Sequence, residues 1–98
     1  MFLTEEEKQK LKKFTQRERI RYWLEKFGSI TVNDCFRFLG IAAAPRRIKD
    51  LRDKENVPIE SIPKKGKDRW GQATNYVEYR LDRDKYGENK LYFGGKYA

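Results

Sequence analysis

Residues 31–54, TVNDCFRFLGIAAAPRRIKDLRDK, constrain this chain more than any other stretch. They predict two short helices joined by a tight turn. Thr31 is placed to cap the first, its hydroxyl accepting from a free amide of the opening turn. Asp34, three residues on, can bond back, in a capping box where Glu or Gln is commoner. Cys35, Phe36 and Leu39 fall at helical spacings and give that helix one apolar face. Gly40 stands where a left-handed C-terminal residue is wanted, and Ile41 can pack back on the helix it follows. Ala44, Ile48 and Leu51 form the stripe of the second helix, where Pro45 is tolerable only in the first turn. Two helices, a glycine-bearing turn and small residues at the junction are the pattern of a helix-turn-helix.

A chain of 98 residues has room for one small domain around this pair. Its formal charge of +8 is large for that length and points to a polyanionic partner. Strongly apolar aliphatics are sparse, so the core must be small and must lean on aromatics. No run of about 18 apolar residues occurs, so no membrane span is expected, and no secretory apolar region follows Met1. The lone Cys35 reads as a small buried apolar residue, which suits a reducing cytoplasm. Without histidine, and with no glycine-rich phosphate loop or nucleophile–base pair, neither a zinc site, a cofactor nor an enzyme activity is expected.

Around the central pair the chain supplies further elements. Residues 1–14 predict a short N-terminal helix, with Thr4 and Glu7 as a capping box and Leu3, Glu7, Leu11 and Phe14 near one face. Thr15 and Glu18 open a second helix that buries Ile20, Trp23, Leu24 and Phe27 and stops at Gly28. Tyr22 lies on its opposite face. It is either exposed or covered by the N-terminal helix, the tail or a second subunit. Ser29-Ile30 is extended, a strand of one bridge. Beyond the central pair Asn56 can close the helix, residues 57–62 read as a strand with Pro58 at its start, and residues 63–74 as a turn-rich loop. Residues 75–81, NYVEYRL, alternate and complete a hairpin. Residues 82–98 lose periodicity, yet Leu91, Tyr92, Phe93 and Tyr97 are too apolar for an ordinary solvated tail.

The fold class expected is therefore α+β: a winged helix-turn-helix of three core helices plus a β-hairpin wing over residues 15–81. An N-terminal helix (1–14) and an aromatic C-terminal tail (82–98) flank it. Two basic surfaces are the candidate sites. On the second helix of the pair Arg46 is the first choice to read a base edge in a major groove, and Lys49 the second. Arg47 and Arg52 are candidate phosphate clamps. Arg46–Asp50 and Lys49–Asp53 are also spaced as surface ion pairs, which leaves a solvated face as the alternative. In the expected loop, Lys64, Lys65, Lys67 and Arg69 concentrate positive charge against only Asp68, and Trp70 stands beside them. Such a loop can follow a backbone or a minor groove, with Trp70 either stacking on a base or sugar or capping the hairpin. Arg17, Arg19 and Arg21 form a third basic cluster, either on flanking phosphates or in water.

RERIRYWLEKFGSITVNDCFRFLGIAAAPRRIKDLRDK, then VPIES and YVEYRL, resembles the small winged helix-turn-helix proteins of bacteriophages, prophages and other mobile elements. The Gly28-Ser29-Ile30-Thr31 approach, Leu39-Gly40-Ile41, Arg47-Ile48-x-x-Leu51-Arg52 and Tyr79-Arg80-Leu81 carry the likeness, over about residues 15–81. The resemblance implies a DNA-binding fold with a recognition helix at residues 43–54 and a wing at 64–72. Pro45 departs from the small or polar residue common near that helix start. The function expected is a small transcriptional regulator that binds double-stranded DNA in the cytoplasm of a bacterial host, as a nucleoid-associated protein, with a homodimer as a candidate state. Two alternatives stand beside it: an excisionase-like architectural recombination factor, and a virus-encoded interaction module that binds or inhibits a host protein.

Overall fold

The computed structural model describes residues 3–86. In chain order they form α1 (Glu5–Leu11), α2 (Gln16–Phe27), β1 (Ser29–Thr31), α3 (Val32–Leu39), α4 (Ala44–Lys54), β2 (Ile59–Lys67), β3 (Ala73–Leu81) and α5 (Arg83–Tyr86). The class is α+β. The sheet is antiparallel, in the order β1-β3-β2, so the latest strand in the chain is the central one.

Three threonines start three helices in the same way. Thr4, Thr15 and Thr31 are extended, and each hydroxyl accepts from the amide of Glu7, Glu18 or Asp34, whose carboxylate accepts in return from the cap's own N–H. The shorter Asp34 still reaches, with Oδ2 at 3.1 Å from the Thr31 nitrogen. Gly28 and Gly40 end α2 and α3 at φ of 90° and 68°, a region open to glycine without cost. α4 starts at Ala44 with Ala43 as an uncapped flank, and Pro45 sits in its first turn, where a missing N–H leaves no bond unmade. Asn56 closes α4 at φ 54°.

Helices α2, α3 and α4 converge through Ile20, Trp23, Leu24, Cys35, Leu39, Ile41, Ala44, Ile48 and Leu51. The sheet covers them with Ile30, Ile59, Tyr79 and Leu81. Phe36, expected on the buried face of α3, is 67 % exposed instead. α3 is only two turns long and its buried line is Cys35–Leu39, so a residue about 100° from Cys35 has no core to face. Phe38 lays its ring along Trp23, with centroids 5.3 Å apart. Burial, and then the neighbouring Asp34, push the Cys35 thiol up to about 12, which leaves it an inert apolar filler.

Among the alternatives open for Tyr22, the N-terminal helix is its partner. The side chain is fully buried, its hydroxyl donates to Glu7 Oε2 at 2.6 Å, and its ring meets Phe14 edge-on at 6.1 Å. Leu11 is buried beside it, Leu3 and Phe14 partly so, and Lys26 clasps the Glu7 carboxylate. Burial by itself would raise the Glu7 pKa. The Lys26 ammonium, the Thr4 N–H and the Tyr22 hydroxyl outweigh it and hold the carboxyl at about 2, against an ordinary 4.5. A folded-state pKa below the unfolded value stabilises fully above about pH 5 and is lost as pH falls toward 2. The contribution is on the order of 2 kcal/mol after allowance for solvent at the site's rim. Urea midpoints at pH 6 and pH 3 are expected to differ less for Glu7→Gln than for the parent chain.

The hairpin is longer and more regular than the sequence suggests. β2 starts at Ile59 and runs through Lys67, β3 starts at Ala73, and the expected loop over 63–74 contracts to residues 68–72. β3 explains this: it begins two residues earlier, at Ala73, and pairs β2 at every step from Ile59↔Leu81 to Lys67↔Ala73. Pro63 is tolerated because β2 is an edge strand with one side free of ladder bonds. Likewise β1 is three residues rather than one bridge, Ser29 to Thr31 pairing Arg80 to Glu78. In the stretch expected to lack regular structure, α5 forms one turn, and buried Tyr86 accepts from Arg21 Nε at 2.8 Å. Leu91, Tyr92, Phe93 and Tyr97 lie outside the described residues.

Candidate nucleic-acid interface

α4 divides its charged residues among three directions. Arg46, Lys49 and Asp53 are exposed on the side away from Ala44, Ile48 and Leu51. Arg47 is half-buried toward the start of α2, where it shares a recess with Thr15, Gln16 and Arg17. It pairs with Asp50 at 3.2 Å, and Lys54 approaches Asp50 from the next turn at 3.9 Å. The pairs suggested by spacing, Arg46–Asp50 and Lys49–Asp53, are replaced by these. Asp50 leans toward the α2 side of the helix, and Arg46 and Lys49 are left outside that pairing.

Arg52 turns the other way, to the hairpin. Its Nε donates to the Ile59 carbonyl at 2.9 Å, its Nη2 donates to Ser61 Oγ, and its guanidinium lies 5.8 Å from the Tyr79 ring centre. Where spacing suggested a phosphate clamp, Arg52 is a brace between α4 and β2. Arg52→Ala is expected to destabilise by about 1–2 kcal/mol through the lost bonds. It should also speed amide exchange in the hairpin, and urea unfolding with exchange at residues 59–62 measures both.

The strand register sorts the basic residues of the hairpin. Ile59, Ser61, Pro63, Lys65 and Lys67 share the face of Tyr79, Val77 and Asn75, which is the face turned to the core and to α4. Lys64 lies on the opposite face with its partner Tyr76, whose ring sits over Gly66 so closely that a Cβ there would come within 3.2 Å. Arg69 and Trp70 belong to the tip. An open groove of about 670 Å³ runs between the start of α3 (Val32, Asn33), the start of α4 (Pro45) and the core-side face of β3 (Asn75, Val77). Lys65 is the ladder partner of Asn75 and Arg46 follows Pro45 in the chain, so each is one position from a lining residue, although neither lines the groove itself.

The third basic cluster does other work. Arg19 donates to the carbonyls of Leu11 and Leu39 at 2.8 and 3.4 Å. Arg17 and Arg21 both pair with Glu55, at 3.4 and 2.9 Å. Burial disfavours charge on Arg21, yet the Tyr86 hydroxyl and Glu55 raise its pKa above the ordinary value. These arginines hold helices together. Val32, Asn33 and Asn75 were missed by sequence reasoning. Asn33 had a legible cue, since it lies in the first turn after the Thr31 cap, but nothing local ties Asn75 to α4.

Among the described residues, no group of three or more acidic, cysteine or histidine side chains is placed to hold a metal, and no helix is long and apolar enough to cross a membrane. No family model, curated protein or solved structure matches the chain.

Proposed function

We propose that residues 15–81 are a winged helix-turn-helix that binds double-stranded DNA, with α4 in the major groove and the hairpin as its wing. The observation that carries this is the groove just described: it gathers Pro45 at the start of α4, Val32 and Asn33 at the start of α3, and the Asn75–Val77 stretch of β3, whose ladder partners are Lys65 and Pro63. The order helix, short strand, helix, helix, then two paired strands supports the same reading. Arg46 and Lys49 are the base-reading candidates, since an arginine can grip guanine O6 and N7 with two parallel bonds. Lys65, Lys67 and Arg69 are the phosphate contacts. A transcriptional regulator of mobile-element type, paired as a homodimer or bound in tandem, is the role that fits best. Titrating the chain on labelled duplex at rising salt tests it: the slope of log affinity against log salt should be near −3 for three wing contacts, steeper with contacts from α4. Affinity indifferent to salt removes the reading.

One observation favours a second reading, a module that binds a host protein. Val32, which lines the groove, and Phe36, one turn further along α3, are 39 % and 67 % exposed. On this second reading Phe36→Ser should leave duplex affinity unchanged, and a fall in duplex affinity would count against it.

A further inference from the structure

We propose that Trp70 is a wedge which the hairpin tip pushes part-way between two stacked base pairs from the minor groove, bending the duplex. This rests on the DNA-binding reading and adds the shape that the bound DNA takes.

Trp70 is 80 % exposed, the most exposed of the large apolar side chains among the described residues. Its backbone is nonetheless pinned. Asp68 N–H donates to the Gln72 carbonyl at 2.9 Å and Gly71 N–H donates to the Asp68 carbonyl at 3.0 Å. Asp68 Oδ1 accepts from the amides of both Trp70 and Gln72 at 2.9 Å. Gly71, at φ 78°, completes the three-residue hairpin loop of a tight turn followed by a left-handed residue. A large indole held in water on a fixed apex forgoes its burial free energy in the free protein. It recovers that term against a flat apolar surface, and the face of a nucleic-acid base is one. Lys67 and Arg69, both exposed, flank it and supply the charge that the neighbouring phosphates require.

Dimensions agree. The arm beyond Ile62, residues Pro63 to Lys67, spans roughly 17 Å at about 3.4 Å per residue. Half a turn of duplex is about 17 Å. An arm leaving α4 in a major groove thus brings its tip to the next minor groove. That groove is only about 6 Å wide, too narrow for a two-stranded ribbon with side chains but wide enough for one projecting ring. Apolar side chains inserted from this side unstack a base step and kink the duplex. The step that yields most readily is a pyrimidine–purine one, so the ligand inferred is duplex DNA with a TA or CA step about half a turn from the α4 contact.

The test uses the full chain and a 30-base-pair mixed-sequence duplex, about three helical turns, with a central TA step. The duplex carries 2-aminopurine at the step and a donor–acceptor pair on its ends. Binding should shorten the end-to-end distance, raise 2-aminopurine emission and shield Trp70 from acrylamide; Trp23 is buried and does not contribute to that quenching. Trp70→Ala, whose folding circular dichroism verifies, should bind about tenfold more weakly with the same salt slope and leave the duplex straight, while Trp70→Phe keeps part of the bend. A bend unchanged in Trp70→Ala, or salt-dependent binding by the parent chain with neither bend nor 2-aminopurine change, overturns the wedge and leaves the DNA reading standing. Absence of any salt-dependent duplex binding overturns both.

Discussion

Replacing Lys65, Lys67 and Arg69 together with alanine is expected to weaken duplex binding by about two orders of magnitude near 0.15 M salt. Each phosphate contact contributes about −0.9 to the log–log salt slope, so three contacts steepen it by roughly 2.7 units. Their loss should therefore be largest at low salt and should fade as salt nears about 1 M. All three side chains are exposed. Lys65 and Lys67 share the core-turned face of the hairpin, and Arg69 sits on its tip, so the substitutions remove no packing. Lys64→Ala is the internal control. It is half-buried on the other face beside Tyr76, and its loss should shift affinity little. Binding measured by anisotropy at four or more salt concentrations decides the matter; a loss of equal size at every salt would mean the lysines act through the fold and not through phosphate.

Tyr22→Ala should destabilise the chain strongly, by about 3–5 kcal/mol on the scale of large-to-small core substitutions. Against a total of roughly 5–15 kcal/mol for a domain, that is enough to leave a substantial fraction unfolded at 37 °C. The ring is fully buried between α1 and α2, and its removal opens a void that Phe14 alone cannot fill. It also takes the hydroxyl from Glu7, while Lys26 remains. Tyr22→Phe separates the two effects: it keeps the volume and loses the bond, at a cost of about 1–2 kcal/mol. Urea unfolding of both variants provides the numbers. Equal stability of Tyr22→Ala and the parent chain would show that α1 does not dock as described.

The contrast between these residues shows what could be read from sequence. Helix starts were legible because a threonine and an acid three residues later act on each other within one turn, and no tertiary information is needed. The stripe Ala44, Ile48, Leu51 was legible because its period is helical. Phe36 was not: on a two-turn helix two neighbouring stripes are equally periodic, and only the position of α4 and the sheet selects Cys35–Leu39. Lys64, Lys65 and Lys67 looked like loop residues because lysine, proline and glycine are poor strand formers. Their strand comes from the partner, β3, whose alternation was visible only from Asn75 onward. Arg52 and Arg21 carry the same lesson for charge. Helical spacing shows which residues lie away from the core, but not whether a carbonyl or a tyrosine from a distant segment waits there.

Pro63 has a consequence for crowding. A ladder of open amides along β2 would invite another molecule to zip on, arm against arm, into a growing fibre. An imino acid in the middle of that border divides it into two runs of four residues, Ile59 to Ile62 and Lys64 to Lys67, the second bristling with like charge. A residue that the long bare finger merely tolerates thus also keeps such fingers from clasping one another.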